Sequence, residues 1–386
     1  MSTLNDVVIN KLSGGLGRRN PEQDMVSGLL FDDAATPQFA SDKVERLASL
    51  EDAENLGITS DYDTPVQSVY YQIQQFFRMN PSGDLYIMKT TASSYEEIAG
   101  KALDMQEKAN GNIRQMAIIY SGATTFVQTQ AAVAKAQSQA ALAYNDFMPF
   151  EVILEGKGFK ASVATSLAGL NAENVSVVIA MDAEKATNYK NSAAVGLALG
   201  AISKSKVSEN IAWIEKFNLT GEGFAKAGFV GGEEIKTLGT LSDLNEKRYI
   251  FVKTHTGLPG VYFNDSHTCT TGTSDFAYVE NNRTINKATR LMRTALLPKL
   301  ASPVLVDIDG KLPQSVSKSF EGLCRSALEA MVANQEVSDF DVYVDPKQNI
   351  LATSELKVKA EITPIGTARK IMVDLGFKNP FGIDKA

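Results

Sequence analysis

The sequence predicts an α/β fold with a parallel-type sheet, becoming α+β toward the C-terminus and preceded by an extended N-terminal arm. Three observations predict it. Between residues 116 and 203, short β-branched runs alternate with helical stretches, the pattern of strands buried on both faces of a parallel sheet. Beyond residue 204 that alternation lapses, and residues 282–377 read as two amphipathic helices followed by alternating strands. Residues 1–22 hold one short apolar run and a glycine-rich stretch, too little for a core element. The chain therefore divides into an arm and hinge (1–22), an α/β domain (23–270) and a C-terminal domain (271–386).

In the arm, Val7, Val8 and Ile9 form a short strand, and Gly14, Gly15 and Gly17 form a flexible hinge. A strand on a hinge needs a sheet edge to satisfy its backbone, and that edge can lie on another molecule. Residues 26–31 are the first core strand. Ser49 caps a helix with Glu51 and Asp52 in its first turn, ended at Gly57. Residues 65–78 place Val66, Val69, Ile73, Phe76 and Phe77 at helical spacing. A strand at 85–89 and a serine-capped helix over 94–108 follow.

Strands at 116–120, 150–154 and 175–180 then alternate with helices at 124–144, near 162–167 and at 193–203. A strand at 249–253 and the run 258–264 lead into a polar loop, 267–275. A helix over 282–297 is stopped by Pro298. The next helix, 315–334, sets Val316, Phe320, Leu323, Ala327 and Met331 on one face. Strands are expected at 341–344, 354–363 and 370–377.

Composition narrows the function. Over 386 residues the net charge is −7, so no dominant cationic face exists for non-specific nucleic-acid binding. No secretory signal opens the chain, and its longest apolar stretch, around 193–202, is about half of the ~20 residues a bilayer requires. Synthesis as a cytoplasmic chain is the expectation. Two cysteines, Cys269 and Cys324, make no disulfide framework and read as buried thiols.

The search for chemistry returns little. Neither glycine-rich segment, 14–17 or 228–232, has the spacing of a phosphate-binding loop. His255 and His267 stand twelve residues apart, with Cys269, Asp265 and Asp275 nearby, but the spacing of a zinc site is lacking. No nucleophile elbow occurs, and pairs such as Asp32-Asp33, Glu96-Glu97 and Glu233-Glu234 sit where helix starts or solvated loops place them. No catalytic, cofactor or metal residue is assigned. One asymmetry stands out: residues 281–300 carry Arg283, Lys287, Arg290, Arg293 and Lys299 and no acid. On a helix Arg283, Lys287 and Arg290 share one stripe, either a solvated face or a strip for an acidic partner. Lys318 and Arg325 lie similarly on the following helix.

The order of these features resembles the tail-sheath family of contractile phages, R-type bacteriocins and related injection systems, in a compact branch. The residues that carry the resemblance are the N-terminal strand and glycine hinge, the segment 24–31 and the strip 44–58. Toward the C-terminus they are the arginine-bearing helix 282–290, the turn Asp309-Gly310-Lys311-Leu312, Val342-Tyr343-Val344-Asp345-Pro346 and the strands 356–364 and 371–375. Residues 7–58 and 249–377 are covered; the middle matches only in α/β character.

The resemblance implies a non-enzymatic subunit of a helical homopolymer that contracts by rigid-body rearrangement. Terminal arms would add strands to a neighbour's sheet: Val7, Val8 and Ile9 would be donated, and Leu356, Val358, Ala360, Ile362, Ile371, Val373 and Leu375 would receive them. An inner tube protein would meet the helix 315–334 through Lys318 and Arg325, with Arg283, Lys287 and Arg290 also facing a partner. Baseplate and tail-terminator proteins would be further partners, and no cofactor, nucleic acid or membrane is implied. Two other readings are an α/β enzyme or ligand-binding protein with a site at the carboxyl ends of strands 116–180, and a fixed-size ring component.

Overall fold

The computed structural model describes residues 23–33, 39–233 and 237–378. The expected arm strand (Val7, Val8, Ile9) and hinge (Gly14, Gly15, Gly17) lie outside them.

The first half builds one sheet. Its elements are β1 (Val26–Asp32), β2 (Val44–Leu47), α1 (Leu50–Asn55), α2 (Val69–Met79), β3 (Asp84–Thr90), α3 (Tyr95–Ala99), α4 (Ala102–Lys108), β4 (Gln115–Ile119), α5 (Phe126–Asn145), β5 (Glu151–Glu155) and β6 (Val175–Val178). The strand order is β2-β3-β1-β4-β5-β6, and every pairing is parallel except β2 with β3. All residues of β1, β4, β5 and β6 are buried, as continuous apolar strands between two helical layers require. The helices α3, α4 and α5 pack together as one layer; α2 packs on α7 (Val195–Lys204), which lies on β1, β4 and β5.

Local chemistry sets the helix ends. Ser49 and Ser94 cap α1 and α3 by accepting from the third backbone N–H, and Thr125 with Gln128 forms a capping box on α5. The single helix expected over 94–108 is two, α3 and α4, because Gly100 closes the first. The helix expected near 162–167 is replaced by two 3-10 turns, Ala161–Val163 and Ala168–Leu170.

Neither margin of this sheet invites a further strand. β2 has four residues, flanked by the Lys43–Glu45 ion pair and tied down by Arg46 on Asp84 at 2.6 Å. The outer side of β6 is occupied by irregular backbone: Ile250 N–H donates to Val177, and Cys269 N–H to Val175. Around this body lie β7 (Ala180–Asp182), α6 (Lys185–Asn188), β8 (Ala227–Phe229), α8 (Leu238–Glu246), β9 (Val252–His255) and β10 (Leu258–Phe263). β7 pairs with β8 and β9 with β10, both antiparallel.

The C-terminal part comprises α9 (Val279–Leu296), α10 (Gln314–Ala333), β11 (Val337–Tyr343), α11 (Ile350–Thr353) and β12 (Lys359–Pro364). Val207, Ala288, Cys324, Leu328, Met331, Val337 and Val342 form a second, smaller core, while Leu312, Phe320 and Val344 form a third. On α10 the expected apolar face is present but turned slightly, so Cys324 and Leu328 lie deepest while Leu323 and Ala327 border it. No strand forms over 370–377 within the chain, although the sequence pattern predicts one. A strand there needs a partner edge.

Glu151, at the start of β5, ties the sheet to α9. Its Oε1 accepts from Asn174 and from Asn286 of α9, both at 3.0 Å, while Oε2 is buried without a partner among the described residues. Burial lifts this carboxyl to about pKa 8. The folded state thus holds the proton more tightly than the unfolded chain, and stability falls as pH rises from the ordinary carboxylate range through about 8. Glu151→Gln is expected to match the wild type at low pH and to exceed it by several kcal/mol above that window. Urea denaturation across pH measures this; parallel curves for the two proteins would refute it.

Candidate assembly sites

The cationic stripe of α9 points inward, which corrects the expectation of a partner-facing strip. Arg283 is only 4% exposed and donates to Ser205 Oγ at 2.7 Å, to the carbonyls of Ser205 and Lys206, and to the Asp24 carbonyl at 3.1 Å. Lys287 binds the Asp24 carboxylate at 2.7 Å and Glu336 at 2.6 Å, while Arg290 binds Asp24 at 2.5 Å. Burial alone would raise the Asp24 carboxyl, but Lys287 and Arg290 beside it prevail and hold it below its ordinary value. These cations serve one acid lying more than 250 residues earlier, a pairing no local pattern can reveal.

On α10, Lys318 and Arg325 do reach the surface. Lys318 pairs with Glu321 at 2.6 Å, and Arg325 with Asp341 of β11 at 2.5 Å. Arg325 also donates to the Val342 carbonyl at 2.9 Å. Lys318 stands in solvent over the buried Glu321, which also accepts the Val344 N–H, while Arg325 and Asp341 meet at the surface, where water weakens the pair.

The β11–β12 hairpin places Phe340 opposite Ile362 and Val342 opposite Ala360. Leu356, Val358, Ala360 and Ile362 are half-buried, and Lys357, Lys359 and Glu361 between them are exposed. Among the described residues this sheet has two strands; side chains cap backbone groups of β11, Arg325 on the Val342 carbonyl and Asp339 and Asp341 on the Phe340 and Val342 N–H groups, while β12 has no further strand beside it. After β12 the chain returns to the α/β body, where Arg369 is seated. Its guanidinium binds Asp265 at 2.9 Å and Glu280 at 2.5 Å and lies 3.5 Å over the Tyr278 ring. Asn210 bridges the same two carboxylates, and Ser266 donates to Glu280. Beyond Arg369, Ile371, Val373 and Leu375 are 76–94% exposed and Phe377 is fully so. Ile371, Val373 and Leu375, expected to receive a neighbour's strand, pair with no strand of the same chain among the described residues.

At the carboxyl ends of the sheet strands, where open α/β sheets place ligands, side chains fill the crevice. Asp32 accepts from the Ser121 backbone N–H at 2.6 Å and from its hydroxyl. Glu155, fully buried, pairs with Lys157 at 3.4 Å and accepts from the Ala193 N–H at 3.1 Å. Tyr95 receives the Glu155 N–H at 2.7 Å and stacks on Tyr120. A cleft of about 1470 Å³ lies elsewhere, beneath the tail, bordered by Trp213, Asn245, Arg248, His267 and Arg369.

The polar loop over 267–275 is buried in its first half: His267, Thr268, Cys269 and Thr270 are all sequestered. Burial lowers His267 to about 4, leaving it neutral, and pushes the Cys269 thiol up to about 12. Cys269 and Cys324 are both free and buried. Among the described residues no group of potential metal ligands converges, and no helix is long and apolar enough to cross a membrane.

Two family models match the chain: the DUF2586 N-terminal domain over residues 4–267 and the DUF2586 C-terminal domain over residues 275–382. The chain belongs to the DUF2586 family. No curated protein matches this DUF2586 chain. Its fold is that of contractile sheath proteins. The anti-feeding prophage helical sheath in its contracted state superposes with a TM-score of 0.67 at 14% identity, covering 97% of this chain and 99% of that one. The PVC sheath of an extracellular contractile injection system, also contracted, gives 0.64 at 12% identity, covering 97% and 98%. A crystal structure of a sheath tail protein from Desulfitobacterium hafniense gives 0.58 at 10% identity, covering 93% and 100%. The likeness runs through the middle of the DUF2586 chain, where the sequence offers only α/β alternation.

Proposed function

We propose that this chain is a structural, non-catalytic subunit of a contractile sheath, polymerising helically around an inner tube by exchange of terminal strands. The observation that carries this reading is the tail. Ile371, Val373, Leu375 and Phe377 alternate along an exposed segment, and the preceding two-stranded sheet has no further strand beside β12 among the described residues. Such a segment suits β-augmentation, in which main-chain hydrogen bonds supply affinity and alternate side chains set register. The tail then acts as a donated strand, and Leu356, Val358, Ala360 and Ile362 belong to the sheet that receives a neighbour's strands, Val7, Val8 and Ile9 among them.

Burying each apolar side chain is worth roughly 1.5–3 kcal/mol, while fixing each backbone residue costs about 1–2 kcal/mol. One arm is therefore a weak grip. Many such contacts in a lattice make a strong one. The filled crevice at the carboxyl ends of the strands favours a structural role over ligand chemistry. The surface cations Lys318 and Arg325 suit an inner tube protein as partner, with baseplate and tail-terminator proteins at the ends of the array. Contraction is a rigid-body change between two packings of folded subunits.

Removing residues 1–17, or residues 370–386, is expected to leave a folded monomer that no longer forms tubes in negative-stain electron microscopy. Tubes of ordinary length from both truncated chains would sink the strand-exchange mechanism.

A further inference from the structure

The residues Asp24 and Arg369, at the roots of the two terminal segments, are held by the same helix. Near one end of α9, Glu280 in its first turn joins Asp265 in gripping Arg369, the residue directly before the tail. Further along the same helix, Lys287 and Arg290 grip Asp24, two residues after the segment 1–22, while Arg283 holds its carbonyl. Ten residues separate Glu280 from Arg290, or about 15 Å along a helix. We propose that α9 is the common anchor of the two arms, so that the intermolecular links made by one subunit meet on a single rigid element. This rests on reading both terminal segments as exchanged strands.

Three features support it. The anchors are opposite in sign, an acid held by cations at one root and a cation held by acids at the other. Neither root can take the other's seat without like-charge contact. The Asp24 root is largely shielded from solvent, its side chain and those of Lys287 and Arg290 being less than a fifth exposed, while at the other root Asp265 and Glu280 are buried beneath an Arg369 that is a third exposed. Salt screens such pairs far less than surface ones. The anchors also share a brace, the segment after α7, whose Ser205 accepts from Arg283 and whose Asn210 bridges Asp265 and Glu280. A pull on either arm is thus delivered to α9 and, through Asn286 on Glu151, to the sheet.

The test uses full-length Arg369→Gln and Asp24→Asn, both retaining every arm residue that pairs. In the monomer, Arg369→Gln is expected to speed hydrogen–deuterium exchange of peptides spanning 264–282, the seat of Arg369 and rich in hydrogen-bonded amides, at least tenfold. It should also shift the emission of Trp213, the single tryptophan, which borders the same cleft. Asp24→Asn should do the same for peptides reaching residue 24 and leave the seat of Arg369 unchanged. Each variant should need about ten times more protein to form tubes. Wild-type exchange and emission in Arg369→Gln would overturn the anchor, and a loosened seat with wild-type polymerisation would overturn its role in linking arms. If Arg369→Gln does not fold, Arg369→Lys, which keeps the charge and loses the two-pronged grip, decides through the same readouts. The 1–17 and 370–386 truncations separately test strand exchange: polymerisation of both truncated chains defeats that reading while leaving the exchange data to judge the anchor.

Discussion

Replacing Gly196 with alanine is expected to destabilise the fold by about 3 kcal/mol, even though alanine is the better helix former by about 1 kcal/mol. The cause is the approach of α7 to α2. A Cβ at Gly196 would sit 2.6 Å from the Gln72 carbonyl carbon and closer still to its oxygen. Those are backbone atoms of a buried helix and cannot swing aside, so the helices must part. Parting them also breaks a reciprocal lock, because Gln72 Oε1 accepts the Gly196 N–H at 2.7 Å and its Nε2 donates to the Ala193 carbonyl at 2.7 Å. That bond satisfies one of the otherwise orphaned N–H groups at the start of α7. Gly200, one turn on, meets Met79 Cβ and the Phe76 carbonyl oxygen at 2.8 Å, so Gly200→Ala should be milder. Chemical denaturation of the two variants gives the ranking, and a Gly196→Ala protein as stable as wild type would show that the helices can yield.

Arg283→Met is expected to cost 3–5 kcal/mol, the scale for removing one member of a buried, hydrogen-bonded charge cluster. Methionine keeps the length and apolar volume of the side chain, so the loss isolates the guanidinium. Left behind are the carbonyls of Asp24, Ser205 and Lys206 and the Ser205 hydroxyl, all deprived of one donor. Burial lowers the Arg283 pKa to about 10, yet it remains charged at neutral pH. Lys318→Met supplies the contrast: Lys318 stands in solvent over its partner Glu321, so its loss should cost much less than that of Arg283. Equal losses in the two variants by urea denaturation would mean that the inward position of Arg283 contributes nothing.

The contrast between Arg283 and Lys318 also marks what the sequence makes legible. Both lie on amphipathic helices, and helical periodicity found α9 and α10 to within a few residues. Periodicity assigns a cation to the side away from apolar residues, which for Lys318 is solvent. For Arg283 that side meets the α/β body, because Asp24 and Ser205 wait there. Their positions depend on how β1 and α7 pack, a tertiary fact with no local trace. The core strands around Leu29, Ile118 and Ile153 were readable because continuous apolar runs have few other uses. The tail was readable as strand-forming but not as unpaired, since alternation records a preference for a partner and not its address. Arg369, Asp265 and Glu280 were missed as a unit; the only signal was an arginine just ahead of an alternating apolar segment.

The closed margins of the main sheet bear on how subunits are kept before use. A short, charged β2 on one side and irregular backbone against β6 on the other deny a stray strand any long template. On the strand exchange proposed above, free subunits would meet through the small hairpin and the tail, and one weak arm would not commit two subunits to each other. Growth accordingly waits for a preformed end that offers several seats at once. The kinetic signature is a lag that vanishes on seeding, with tubes in place of amorphous aggregates even at high concentration.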